Sequence, residues 1–83
     1  MANYISCHSI ACMTLQQIRY LENVLQDQPA IQLRRLMGSQ ISGKLLIEME
    51  AESREELQRV FQSNNIHFDW VIRVEFDKNW PKE

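Results

Sequence analysis

Lys44-Leu45-Leu46-Ile47-Glu48-Met49-Glu50-Ala51 is the clearest structural signal in the chain. Its side chains alternate with a two-residue period, which predicts a β-strand with one buried face and one outward face. The expected core side chains are Leu45, Ile47, Met49 and Ala51, and the expected outward side chains are Leu46, Glu48 and Glu50. Directly afterwards, Ser53-Arg54-Glu55-Glu56 matches the capping-box pattern that starts a helix. The sequence therefore predicts a strand followed by a helix.

The preceding half of the chain repeats this unit. Thr14-Leu15-Gln16-Gln17 is a second capping-box pattern, Pro29 ends the helix that follows it, and Asn64-Asn65 is the expected end of the later helix. The four predicted strands span residues 4–13, 31–37, 44–51 and 70–77. Two βαβ halves predict an α+β, ferredoxin-like βαββαβ sandwich, with a four-stranded antiparallel sheet and both helices on one face. We expect one domain spanning residues 1–83.

Composition limits the classes of function. The 83 residues carry a net charge of −2, whereas nucleic-acid binding usually requires a basic excess. No apolar run approaches the roughly 20 residues that span a bilayer, and the N-terminus does not have the pattern of a secretory signal. Two cysteines are too few for a disulfide framework, so a cytoplasmic location is expected. A surface that binds another protein is easier to build in a domain of this size than an enclosed active site.

Residues capable of metal or catalytic chemistry do not have the required spacing. Cys7 and Cys12 would point to opposite faces of a strand, and His8 would lie about 13 Å from Cys12, too far to share a zinc ion. Glu48 and Glu50 have a spacing that glycosidases can use, but nothing predicts a cleft around them. We therefore expect no enzymatic activity, no metal and no cofactor.

The sheet face opposite the helices is the predicted binding surface. The last strand is expected to turn Val71, Arg73, Glu75 and Asp77 outward and to bury Trp70, Ile72, Val74 and Phe76. Two alternatives exist for the first strand, because either its even-numbered side chains from Tyr4 to Cys12 or its odd-numbered ones from Ile5 to Met13 face outward. We favour the even-numbered set, since a histidine (His8) is easier to leave on a solvated face.

This arrangement predicts an apolar centre rimmed by carboxylates. The apolar residues are Ile10, Leu46 and Val71, beside His8, and the acidic residues are Glu48, Glu50, Glu75 and Asp77. Such a surface fits an amphipathic helix with basic residues on its polar side. An antiparallel sheet with one solvated face also carries acidic and basic side chains without binding anything, so the pattern leaves both interpretations open.

The chain resembles the NapD family of small cytoplasmic chaperones. The resemblance lies in Ile5-Ser6-Cys7-His8-Ser9-Ile10-Ala11, the helix ending at Pro29, Ser42-Gly43-Lys44-Leu45-Leu46-Ile47 and Glu50-Ala51-Glu52-Ser53. Leu57 in the second helix and the Val- and Ile-rich last strand add to it. The resemblance implies binding of the twin-arginine signal peptide of a periplasmic nitrate reductase precursor, or of a related molybdoenzyme. It further implies that the peptide binds as a helix against the sheet, and that export waits until the molybdenum cofactor is inserted.

Two other functions fit the same predicted fold. One is a small-molecule-sensing regulatory domain of the ACT type, although Cys12-Met13-Thr14-Leu15 has no glycine where such domains place a glycine-rich turn. The other is a self-associating domain that pairs its open face across a two-fold axis. The leading hypothesis is a monomeric chaperone that binds no nucleic acid and does not insert into membranes.

Overall fold

The computed structural model describes residues 1–81, in which strands and helices follow the order β1α1β2β3α2β4. The strands are β1 (Ala2–Ser9), β2 (Ile31–Ser39), β3 (Lys44–Ala51) and β4 (Trp70–Arg73), and the helices are α1 (Leu15–Gln26) and α2 (Arg54–Ser63). The strands form an antiparallel sheet in the order β2-β3-β1-β4. The predicted ferredoxin-like α+β fold is therefore confirmed.

The two predicted helix starts are both present, but they are built differently. At α1 the capping box is complete: the Gln17 N–H donates to Thr14 Oγ1 at 3.1 Å, and the Thr14 N–H donates to Gln17 Oε1 at 2.8 Å. At α2 the Glu56 N–H donates to Ser53 Oγ at 3.1 Å, while the Glu56 carboxylate pairs with Arg59 instead of reaching back. The second capping box is thus only half formed.

The end of α2 lies at the predicted Asn64-Asn65 pair. Asn65 adopts a left-handed conformation with φ of 56°, which asparagine tolerates better than most residues. The Ile66 N–H donates to the Phe61 carbonyl at 2.8 Å, and the Asn65 N–H donates to the Gln62 carbonyl at 3.3 Å. These two bonds form a Schellman motif, which satisfies the last carbonyls of the helix and turns the chain back toward the sheet.

The core lies between the sheet and the two helices. The predicted inner face of β3 is confirmed, because Leu45, Ile47, Met49 and Ala51 are all buried. The largest fully buried side chain is Phe61 from α2, whose ring meets the His8 ring edge-on at 5.2 Å between centroids. None of the helices among residues 1–81 is long and apolar enough to cross a membrane.

Two strands are shorter than the sequence predicted, and pairing explains both. β1 ends at Ser9 instead of residue 13, because the chain turns where the Met13 N–H donates to the Ile10 carbonyl at 2.9 Å. β4 ends at Arg73, opposite Tyr4 of β1, and the Val74 N–H makes one further bond to the Asn3 carbonyl. Because β1 begins at Ala2, little of it remains to pair with residues 75–77.

Candidate functional site

We call the face of the sheet opposite the two helices the open face. Its strand residues follow from the pairing registers, since directly paired residues point to the same side of a sheet. They are Asn3, Ile5, Cys7 and Ser9 of β1, Gln32, Arg34, Arg35, Met37 and Ser39 of β2, Lys44, Leu46, Glu48 and Glu50 of β3, and Trp70 and Ile72 of β4.

An apolar strip crosses the open face. It consists of Ile5, Cys7, Met37, Leu46, Trp70 and Ile72. Cys7 lies between its cross-strand partners Leu46 and Trp70 and is only 6% exposed, although no helix covers it. Trp70 and Ile72 are 42% and 50% exposed. The β4 side of the strip therefore presents large apolar side chains to solvent.

Ion pairs neutralise the carboxylates on the β2 side of the open face. Glu48 pairs with Arg35 at 3.3 Å and Glu50 pairs with Arg34 at 2.9 Å. Asn3 Nδ2 also donates to Glu48 Oε2 at 2.9 Å, so both oxygens of Glu48 have partners. Arg34 is the extra residue of a β-bulge between Leu33 and Arg35, which explains how two consecutive arginines reach the same face.

A polar cluster of Ser9, Lys44 and Asp69 lies at the end of the open face where β1 ends and β3 begins. Lys44 Nζ lies 2.9 Å from Asp69 Oδ2 and 3.1 Å from Ser9 Oγ, and the Ser9 hydroxyl donates to Asp69 at 3.0 Å. Hydrogen bonding to Asp69 and the charge of that carboxylate raise the pKa of Lys44, and the bonds from Lys44 and Ser9 lower the pKa of Asp69. The cluster links the ends of β1 and β3 to the residue that precedes β4.

Three predicted binding residues do not lie on the open face, and their predicted orientation was wrong. His8, Ile10 and Val71 are buried on the helix side of the sheet. In β1 the odd-numbered side chains face outward, so the alternative that we did not favour is correct within Ala2–Ser9. For β4 the predicted inner and outer faces are exchanged. Val71 pairs with the inward-facing Ser6, while Trp70 and Ile72 face outward. Arg73, opposite Tyr4, lies on the helix side for the same reason.

Burial of His8 is possible because both ring nitrogens have partners. Its Nδ1 donates to the His67 carbonyl at 2.7 Å, and its Nε2 lies 2.8 Å from the buried Ser6 hydroxyl, which donates to it. Burial outweighs these contacts and the charge of Asp69 and lowers the pKa of His8, which favours the neutral ring. His8 is thus a satisfied core residue and does not belong to the predicted surface.

The remaining predicted residues lie in two places. Leu46, Glu48 and Glu50 are on the open face, as expected. Glu75 and Asp77 are exposed but follow the end of β4, so they do not extend the sheet. The structure therefore does not bring the four predicted carboxylates together as one rim.

The side chains of Cys7, His8 and Cys12 point in different directions. Cys7 faces the open face, His8 faces the core and Cys12 is exposed in the loop after β1. No group of three or more His, Cys, Asp or Glu side chains with metal-binding geometry occurs in residues 1–81.

Sequence analysis missed the two most exposed members of the apolar strip, Trp70 and Ile72. A signal was present: Trp70, Val71 and Ile72 are consecutive and apolar, which is typical of a strand with apolar side chains on both faces. When both faces of a strand are apolar, the two-residue alternation of side chains does not indicate which face is buried.

Comparison with known proteins shows the fold and no more. No protein-family model matches the chain, and no curated protein matches it. The crystal structure of SCO4226 from Streptomyces coelicolor A3(2) is similar, with a TM-score of 0.81 and 17% sequence identity, over 93% of this chain and 100% of that chain. At this identity the similarity establishes a shared ferredoxin-like architecture.

Proposed function

We propose that the open face binds a helical segment of another protein, and that this segment is a twin-arginine signal peptide. The client would be the precursor of a periplasmic nitrate reductase or a related molybdoenzyme, held in the cytoplasm until its cofactor is inserted. The observation that carries the proposal is the apolar strip on the side of the sheet opposite the helices, in which Trp70 and Ile72 are about half exposed. Exposed apolar strips of this kind are typical of surfaces that bind other proteins.

The dimensions of the open face fit one helix. Four strands about 4.8 Å apart give a face about 14 Å wide, and a helix with its side chains is about 10–12 Å across. The apolar region of a signal peptide has about 7–15 residues, or about 10–22 Å as a helix. The apolar strip runs across the strands for about 14 Å, so it can contact about nine residues of this apolar region.

Apolar contact is the main source of affinity in this proposal. Completing the burial of the half-exposed Trp70 and Ile72 contributes about 1 kcal/mol each. Binding also hides the export signal by occupancy, so the function requires no catalysis.

Charge sets the direction of the bound peptide. Glu48 and Glu50 are occupied by Arg35 and Arg34, so the β2 edge offers no free acidic site to a basic peptide. Glu75 and Asp77 form no ion pair with another residue of the described range. Lys78 follows them directly, so residues 75–78 carry two acidic groups and one basic group. We therefore propose that the twin arginines lie near Glu75 and Asp77, past the end of β4.

The test is titration of the protein with a synthetic twin-arginine signal peptide by calorimetry. Ile72→Lys places a charge in the apolar strip and is expected to weaken binding by about tenfold or more. Ile41→Lys is the matched control, because Ile41 is fully exposed in the β2–β3 loop and the chemical change is identical. Equal affinities of the two variants would refute the assignment of the peptide to the open face.

The same apolar strip can also pair with a second copy of the chain, and sedimentation velocity distinguishes the two cases. The proposal requires a free open face and therefore a monomer in the absence of peptide. A concentration-dependent dimer that Ile72→Lys dissociates and Ile41→Lys leaves intact would favour self-association instead.

A further inference from the structure

A cleft of about 470 Å³ lies beside α1 and touches the open face only at Ser9, the last residue of β1. One wall is α1 from Gln17 to Val24, the other is the segment 64–67 between α2 and β4, and His8 contributes to the lining from the end of β1. This volume is within the range of about 300–1,000 Å³ that small-molecule sites occupy.

The cleft exists because the two helices pack against different strands. α1 contacts β2, whereas α2 contacts β3 and β4, which leaves a gap between the helices. The wall opposite α1 is held in place from both ends. The Schellman bonds to the Phe61 and Gln62 carbonyls fix Asn65 and Ile66, and the bond from His8 Nδ1 fixes the His67 carbonyl. Preformed walls reduce the ordering cost that binding would otherwise carry.

The cleft is lined without lysine, arginine or carboxylate side chains among residues 1–81. Its apolar side chains include Met13, Leu21, Val24 and Ile66, and its polar groups include Gln17, Tyr20, Asn64, Asn65 and His67. A charged ligand would lose its hydration here without gaining an opposite charge, whereas an amide or hydroxyl group could find hydrogen-bonding partners.

We propose that this cleft binds an uncharged small molecule with an apolar, ring-sized body and an amide or hydroxyl group. The apolar body lies against Leu21, Val24 and Ile66, and the polar group bonds with the amides and the imidazole at the rim. The ligand class excludes free amino acids, because the lining offers no charged partner to either their carboxylate or their ammonium group. The site shares only Ser9, at the end of β1, with the open face and includes no residue of the apolar strip.

The test uses two probes of nearly the same shape, 2-naphthamide and 2-naphthoate, added to ¹⁵N-labelled protein at neutral pH. The amide is expected to give saturable chemical-shift changes that are largest at Leu21, Val24 and Ile66, with at least about tenfold weaker binding of the charged naphthoate. The proposal is overturned if the two probes bind equally, if the amide gives no saturable change, or if the changes map to the open face. This mapping uses the unmodified protein and does not depend on how any variant folds.

Variants then locate the site independently of the probe's chemistry. Val24→Trp fills the cleft and is expected to reduce the affinity for 2-naphthamide by about tenfold. Asn23→Trp is the control on the same helix, because Asn23 is exposed and does not line the cleft. Ile72→Lys is expected to leave the affinity for 2-naphthamide unchanged and to lower the affinity for the signal peptide. Failure of one proposal is therefore distinguishable from failure of the other. Equal loss in Val24→Trp and Asn23→Trp would contradict the placement.

Discussion

His8 Nδ1 donates a hydrogen bond of 2.7 Å to the backbone carbonyl of His67, joining the end of β1 to the segment between α2 and β4. The two residues are far apart in the sequence, and the bond exists only because the sheet places β1 beside β4. In the neutral ring the other nitrogen, Nε2, accepts from the Ser6 hydroxyl, so both ring nitrogens have partners. A single buried ring thus holds the loop that forms one wall of the cleft.

The first prediction follows from the neutral state of His8 and concerns pH. Burial lowers the pKa of His8 below its ordinary value of 6.5, so the unfolded chain binds a proton there more readily than the folded protein. The free energy of unfolding is therefore at its full value above pH 6.5 and falls as the pH drops below it. Urea unfolding between neutral pH and pH 5 measures this loss.

The control for the pH prediction is His8→Gln, which removes the titrating ring. The variant is expected to be less stable at neutral pH and to lose most of the pH dependence in this window. An unchanged slope in His8→Gln would assign the pH dependence to other groups. Asp69 is a separate contributor, since its lowered pKa places its stability loss at more acidic pH, below its ordinary value of 3.8.

A second prediction concerns the ion pair between Glu48 and Arg35. If Arg35 near the bound peptide is tolerated only because Glu48 neutralises it, Glu48→Gln should weaken twin-arginine peptide binding by about threefold at low salt. Removing both charges with Glu48→Gln and Arg35→Gln should then restore the affinity. A double variant as weak as the single one would mean that Glu48 contacts the peptide directly.

The acidic residues after β4 give a third prediction. Glu75→Gln combined with Asp77→Gln is expected to lower the affinity for the twin-arginine peptide by about three- to tenfold at low salt. The effect on affinity at high salt is expected to be small. Glu55→Gln with Glu52→Gln is the control, because both residues are exposed acids outside the open face. Calorimetric titrations at low and at high salt measure the peptide affinity under both conditions. No change in the Glu75 and Asp77 variant would place the twin arginines elsewhere.

The left-handed conformation of Asn65 gives a fourth prediction, on stability. Asn65→Val is expected to lower the free energy of unfolding by about 1–2 kcal/mol, because a β-branched residue is strained at φ of 56°. Asn65→Gly should be neutral or stabilising, since glycine adopts this conformation freely. Urea midpoints compare the three proteins. Similar stabilities of the Val and Gly variants would show that the turn is not held in this conformation in solution.

A fifth prediction separates buried from exposed aromatic side chains. Phe61 is fully buried and contacts the rings of His8 and Phe68, so Phe61→Ala should cost about 3–5 kcal/mol. Phe76→Ala removes the same atoms from an exposed position after β4 and should cost less than about 0.5 kcal/mol. Thermal and urea unfolding measure both. A large cost at Phe76 would show that the segment after β4 packs against the domain.

The order of the elements and the inner face of β3 were predictable because they depend on local pattern. β3 alternates cleanly, the Thr14 and Ser53 caps carry the side chains that satisfy the first helical N–H groups, and Asn65 suits a left-handed turn. Each of these features is decided within a few residues of sequence.

The composition of the open face was decided by tertiary structure. In β1 the polar Ser6 and His8 are the inner residues, because they bond to each other and to a carbonyl of a distant loop that the sequence does not place beside them. In β4, where Trp70, Val71 and Ile72 are all apolar, the register with β1 selects Val71 as the inner residue. A strand's alternation determines that it has two faces; which of them is buried depends on hydrogen bonds and packing that form only when the strands and helices come together.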